Sequence, residues 1–195
     1  MRKVTRIETT RLWLRPLTRD DVEAVYRLWI DPDVRRYLWD DQVISREHAA
    51  SIIDDSIKLF TKDGYGLWAV LPSRETMLIG FCGYLFFHDP PELQLLYGMA
   101  PAYWGKGLTT EAARAMLRYG FEELGCDRIV GSTDVPNIAS ARVMEKAGMT
   151  YEKRLLIHNL DTVYYVIARE SFTPDDSSYR VEREGESRKL FRSAG

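Results

Sequence analysis

Between Met99 and Glu111 the chain reads MAPAYWGKGLTTE, with Gly105 and Gly107 one residue apart, just ahead of a run with helical spacing. Such a turn offers successive backbone N–H groups where a helix amino terminus adds partial positive charge. Together they cradle a phosphate or pyrophosphate without a basic side chain. Glycine suits both positions, because a Cβ would block the phosphate or force a strained φ. Lys106 is then a supporting contact. Two other phosphate loops are excluded by spacing. Six residues separate Gly98 from Gly105, and Lys106 is followed by Gly107 instead of a hydroxyl, so this is no Walker A loop. The position three after Gly107 is Thr110, which breaks a dinucleotide fingerprint. Taken alone, two glycines would also serve as a plain helix-entry turn.

No GxSxG elbow offers a nucleophilic serine. Cys82 falls in an apolar run and reads as core, while Cys126 follows a helix-ending glycine in a turn. The histidines, His48, His88 and His158, lack a second ligand at metal-binding spacing, so no metal is expected. With 27 basic and 29 acidic residues among 195, the chain has no positive surplus for a nucleic-acid backbone. Two distant cysteines fit a reducing compartment, and the charged start lacks a signal core. The apolar run at Phe81–Phe87 is far too short for a membrane span. A cytoplasmic domain follows.

The elements around the loop can be read from periodicity. Residues 11–17 alternate as a strand, Thr18 to Asp21 resembles a capping box, and Val22, Val25, Tyr26 and Trp29 give a helix to about Ile30. Asp31-Pro32 breaks it, leaving residues 34–41 as an aromatic and acidic loop. A second helix starts at Ser45. Strands are predicted over 66–71, 77–87 and 92–99, with the second apolar enough to be covered on both faces. A helix over 110–124 ends at Gly125, a strand follows at 128–133, and a helix over 138–147 stops at Gly148. Strands over 153–158 and 162–171 close the domain. The segment 173–195 is charged and poor in large apolar groups, and is expected to be disordered or loosely docked. The order implies a mixed sheet with helices on both faces, an α/β or α+β domain.

The stretch PAYWGKGLTTEAARAMLRYGFEELGCDRIVGSTDVPNIASARVMEKAGM resembles the acetyl-CoA-binding half of the GNAT N-acetyltransferase family. It is most similar to the branch containing the ribosomal-protein N-terminal acetyltransferases, as is the opening ETTRLWLRPLTRDDVEAVYRLWIDPDVRRYL. The likeness spans residues 7–172, an N-acetyltransferase domain. It implies a mostly antiparallel mixed sheet whose central strands splay around acetyl-CoA. By position, Met99 and Ala100 would pair with the pantetheine amides, and the amides from Gly105 through Lys106, Gly107 and Leu108 to Thr109 would hold the pyrophosphate. Asn137 and Ser140 would contact the cofactor near its sulfur, although Asn137 alone also reads as a helix cap. Three positions depart from the family pattern. Ala102 opens the loop motif, Met144 stands where many members carry a tyrosine proton donor, and Gln94 where many carry a glutamate base. Ser140 or water then protonates the thiolate.

Glu92, two residues before Gln94 on the same strand face, could accept the amine's proton through water, or be a plain exposed strand-start residue. The acceptor, a protein N-terminal α-amine or a small primary amine, would pass Tyr37, Trp39, Asp40 and Asp41, with His88 nearby. Carboxylates beside aromatic faces suit a cationic amine, and a solvated loop anchored by one tryptophan suits the same residues. The expected reaction is N-acetyl transfer by direct attack on the thioester. A non-catalytic acyl-CoA sensor and another type of nucleotide-phosphate binder are the alternatives. Sequence does not distinguish monomer from homodimer.

Overall fold

The computed structural model describes residues 3–87, 92–157 and 159–185, with Phe87 and Glu92 described by backbone alone. In chain order the strands are β1 (Val4–Thr9), β2 (Leu12–Pro16), β3 (Leu67–Pro72), β4 (Gly80–Phe87), β5 (Glu92–Met99), β6 (Arg128–Asp134), β7 (Thr150–Ile157), β8 (Leu160–Ala168) and β9 (Tyr179–Arg183). The helices are α1 (Val22–Ile30), α2 (Pro32–Leu38), α3 (Arg46–Asp63), α4 (Leu108–Glu122) and α5 (Ile138–Lys146).

Among the described residues the strands form one mixed sheet, ordered β7-β8-β6-β5-β4-β3-β2-β1-β9. Helices cover both faces, as the element order implied. On one face Ala112, Ala113, Met116 and Leu117 of α4 and Met144 of α5 pack on Cys82, Tyr84, Leu95 and Met99. On the other, Val25, Leu28 and Trp29 of α1 and Ala49 and Ile53 of α3 pack on Leu67, Ala69 and Phe81. The alternation of β4 explains both contacts, since Phe81 and Cys82 point to opposite sides. The α4 backbone lies close to the sheet. A Cβ at Gly120 would stand 2.5 Å from Tyr84 Oη, whose hydroxyl donates to Met116 O at 2.6 Å.

The chain departs from its sequence reading at four places. β1 precedes the expected first strand and pairs antiparallel with β2. Residues 32–38, expected in a loop, form α2. The Asp31 carboxylate accepts from Asp33 N at 3.0 Å, with Pro32 in the first turn, so the dipeptide that ends α1 also starts the next helix. β4 begins at Gly80, and Met77 is exposed. The largest difference lies in the segment 173–195, expected to be disordered or loosely docked, of which residues 186–195 lie outside the described residues. Its residues Tyr179–Arg183 are β9, which pairs with β1 from Val4↔Arg183 to Thr9↔Tyr179. Asp175 reaches Arg114 at 3.0 Å, the Arg118 guanidinium lies 4.5 Å from the Tyr179 ring centroid, and Arg183 binds both Glu123 oxygens at 2.6 Å. The segment straps the outer side of α4.

The capping residues before α1 carry a pH consequence. Asp21 accepts from Thr18 N at 2.8 Å and from both Arg15 terminal nitrogens at 2.7 Å. Burial alone would raise its carboxyl pKa, but the Arg15 and Thr18 bonds outweigh it and hold the group below its ordinary value. A depressed folded pKa means stability that is present above the unfolded carboxylate value, about 3.9, and lost as pH falls through the folded value. Asp21→Asn should therefore cost about 2 kcal/mol at pH 7. It should also flatten the acid limb of a urea-unfolding series run from pH 7 downward. An unchanged acid limb would show that the Arg15 pair contributes nothing.

Candidate active site

The sheet opens between its two parallel strands. β5 and β6 are paired at Gln94↔Val130, and that pairing does not continue toward their carboxyl ends. Ala100 N donates to Ile79 O at 2.8 Å, so even-numbered β5 residues turn their backbone groups to β4 and odd-numbered ones to the opening. Tyr97 and Met99 therefore face the gap with their peptide groups. Two of the expected pantetheine contacts are already engaged. Ala100 N–H is held by Ile79, and Met99 O accepts the Trp104 indole N–H at 2.6 Å. The Met99 N–H and the Tyr97 main chain are what β5 offers there.

The glycine loop lies directly beyond. Gly105 and Gly107 have φ of 71° and 74°, the left-handed region open to glycine, and both are exposed. Gly107 is the N-cap of α4, without a side-chain cap bond. Among the described residues no protein group accepts from the N–H of Gly105, Lys106, Gly107, Leu108, Thr109 or Thr110. Six amides thus lie unclaimed along the loop and the first turn of α4, where the helix dipole is positive. Their direction is set from behind. Arg11 Nη1 donates to Lys106 O at 2.9 Å, and in a planar trans peptide this turns the Gly107 N–H the opposite way. Glu111, the first-turn acid of α4, holds Arg11 through its backbone N at 2.8 Å and Nε at 2.7 Å, and Thr9 Oγ1 at 2.6 Å. The Lys106 ammonium sits 5.1 Å from the Tyr103 ring centroid.

Across the opening stands α5. Asn137 caps it by accepting from Ser140 N at 3.3 Å. Tyr97, which the sequence reading passed over, spans the gap. Its hydroxyl donates to Ser140 O at 2.9 Å and lies 3.0 Å from Ser140 Oγ. Burial pushes the Tyr97 hydroxyl well above its ordinary pKa despite the Ser140 bond, so it stays protonated. Strand alternation from Met99 was the available signal for Tyr97. Met144 packs in the core against Gly131. Cys82 is fully buried, and burial alone pushes its thiol up, which leaves no thiolate to carry an acyl group.

Four of the residues expected to meet the acceptor, Tyr37, Trp39, Asp40 and Asp41, lie on α2 and the turn after it. Trp39 is a packing anchor, with its ring 5.4 Å from Trp29 and 5.8 Å from His48. Tyr37 lies on α2 under Arg36, at 5.7 Å. Asp41 is tied to Arg35 Nε at 3.0 Å, whereas Asp40 makes no ion pair among the described residues. Gln94 is only 3% exposed. Its Oε1 accepts from Ser132 Oγ at 2.8 Å, while its Nε2 has no partner. A buried donor left unmade costs about 1–3 kcal/mol. Glu92 pairs with Phe87 by backbone, two residues before the β5–β6 contact, and its side chain, like His88 and His158, lies outside the described residues.

Residues 11–150 match the acetyltransferase (GNAT) domain model. The chain is 30% identical over 172 residues to the uncharacterized N-acetyltransferase YnaD of Bacillus subtilis, covering 85% of this chain and 98% of that protein. It is 27% identical to the spermidine N(1)-acetyltransferase of Escherichia coli, over 73% and 75% of the two chains. A GNAT-family acetyltransferase structure from Bacillus anthracis superposes with a TM-score of 0.72 at 28% identity, covering 85% and 99%. The chain belongs to the GNAT acetyltransferase family, and it is an acetyltransferase.

Proposed function

We propose that the protein transfers the acetyl group of acetyl-CoA to a primary amine, by direct attack of the freed amine on the thioester. The observation that supports this most is the set of unclaimed N–H groups from Gly105 to Thr110 beside a gap in the sheet. These amides fit a diphosphate by geometry and by the sign of the helix dipole. The Met99 N–H and the Tyr97 main chain would align the pantetheine arm, and Asn137 and Ser140 would stand by its sulfur end. Acetyl-CoA supplies an activated acyl group, so the protein needs no covalent nucleophile. The chain's own contribution is orientation, which converts a bimolecular encounter into a local one.

Ser140, with the protonated Tyr97 hydroxyl 3.0 Å away, would give a proton to the departing thiolate. The acceptor would enter over the α1–α3 face, past Tyr37, Trp39, Asp40, Asp41 and His88. A relative's action on spermidine makes a polyamine one acceptor to try, beside peptide N-termini and small amines. Among the described residues no helix is long and apolar enough to cross a membrane, and we assign the reaction to the cytoplasm.

Thiol release from acetyl-CoA should appear with at least one member of a panel of peptides, polyamines and simple amines. Calorimetry should show coenzyme A binding at one site per chain. Binding without release across the panel would leave an acyl-CoA sensor instead.

A further inference from the structure

A row of polar groups crosses the acceptor face beside the opening. On β6, Ser132 and Asp134 are two residues apart and share one side of the sheet. That side is the one bearing α1 to α3. Gly131, one residue before Ser132, faces the other way, and a Cβ there would meet Met144 of α5. Ser132 joins the row to Gln94, whose buried Nε2 remains without an acceptor. Asp134 is half-buried, stands opposite Thr162 in register, and has no ion-pair partner among the described residues.

Asp134 also feels a second carboxylate. Burial raises its pKa first, the Asp40 charge adds to this, and a Thr162 hydrogen bond opposes both. Asp40 reaches this place from the turn after α2, where its φ is 51°. Two carboxylates with no cation paired to them among the described residues, in a row that Ser132 links to an amide donor without an acceptor, form a site with its ligand chemistry written in it. The missing groups are an ammonium and an oxygen close to it. Gln94 cannot take a proton at neutral pH, so the nearest carboxylate along the row on β6 is Asp134.

We infer that Asp134, with Asp40 beside it, receives and deprotonates the acceptor's ammonium, and that Gln94 Nε2 donates to an oxygen next to the reacting amine. This rests on the acetyl-transfer reading. Asp134 takes one proton from R–NH3+, and the amine lone pair forms the C–N bond as the thioester C–S bond breaks. The second N–H proton makes good the one given to the thiolate by Ser140. The products are the acetamide, coenzyme A thiol and one proton, which leaves Asp134 for water. Amines carrying a neighbouring carbonyl are preferred over plain alkylamines, because only they satisfy Gln94.

The experiment compares glycinamide with propylamine as acceptors, by steady-state kinetics and by calorimetric binding to the protein held with coenzyme A. Asp134→Asn should lower kcat/KM for glycinamide about a hundredfold or more, weaken its binding, and leave coenzyme A affinity within twofold. Asp40→Asn, on an exposed turn where asparagine tolerates positive φ, should raise KM and spare kcat. Gln94→Leu should bring the glycinamide preference toward one. Glu92→Gln is the competing variant, since Glu92 is the other carboxylate that the sequence offers as the proton acceptor. Wild-type Asp134→Asn kinetics, or the main loss falling on Glu92→Gln, would overturn the assignment while acetyl transfer stands. Binding of coenzyme A without turnover of any amine by the wild type would overturn acetyl transfer itself, and this assignment with it.

Discussion

Gly107→Val is expected to weaken coenzyme A binding by about a hundredfold, some 2.7 kcal/mol at 25 °C. The residue's φ of 74° lies where a β-branched side chain is an outlier. Valine would be strained there or would force the peptide to rotate, and rotation turns the loop amides away from a shared focus. The fold itself has room. The nearest atom to a Cβ at this position is Arg11 Nη2 at 3.6 Å, and a Cβ at Gly105 would meet nothing within 4 Å. Loss of affinity should thus exceed loss of stability, which separates a ligand-facing glycine from a purely conformational one. Lys106→Ala should change affinity only a few-fold, since the ammonium rests over Tyr103. Calorimetry decides the matter, and Gly107→Val binding within threefold of wild type would mean that these amides do not hold the diphosphate.

Ending the chain after Phe172 is expected to lower the melting temperature by about 10 °C, from a loss of about 3–5 kcal/mol at about 2–4 °C per kcal/mol. Glu123 is only 12% exposed at its side chain, so removing Arg183 leaves a nearly buried carboxylate without the Nη2 donor shared by both its oxygens. Tyr179 and Val181 pack against the core, and their departure uncovers apolar surface. β1 would become an open edge, a template for pairing with other chains. The shortened protein should therefore aggregate as it unfolds. A calorimetric scan showing less than 2 °C of change would return the segment to the loosely docked state its composition suggested.

Composition misled there for a physical reason. β9 is stabilised by β1 from 170 or more residues away, and neither strand has an apolar pattern strong enough to be recognised without the other. The same locality limit hid α2. Asp-Pro ends one helix and caps another with equal ease, and the choice depends on Val34 finding a core to enter. By contrast, α4 was legible because its apolar stripe, its terminal glycines and its small residues all agree on one packing face. The turn at Gly105 and Gly107 was legible because both residues take positive φ, and glycine is the one residue type that announces such backbone needs. Tyr97, Ser132 and Asp134 were not, because their meaning depends on which side of a split sheet each residue faces. Parity along a strand gives that only once the register of β5 against β6 is known. Gln94 was noticed as a departure from the family, but its unpaired nitrogen could not be inferred from any spacing.

The bond from Trp104 to the Met99 carbonyl gives the protein a built-in optical gauge. Trp104 is 48% exposed at the lip of the opening, whereas Trp29 and Trp68 are sealed in the interior. Emission from that indole should respond when a nucleotide settles on the adjacent amides. Occupancy could then be followed in real time, with no label attached and no acceptor consumed.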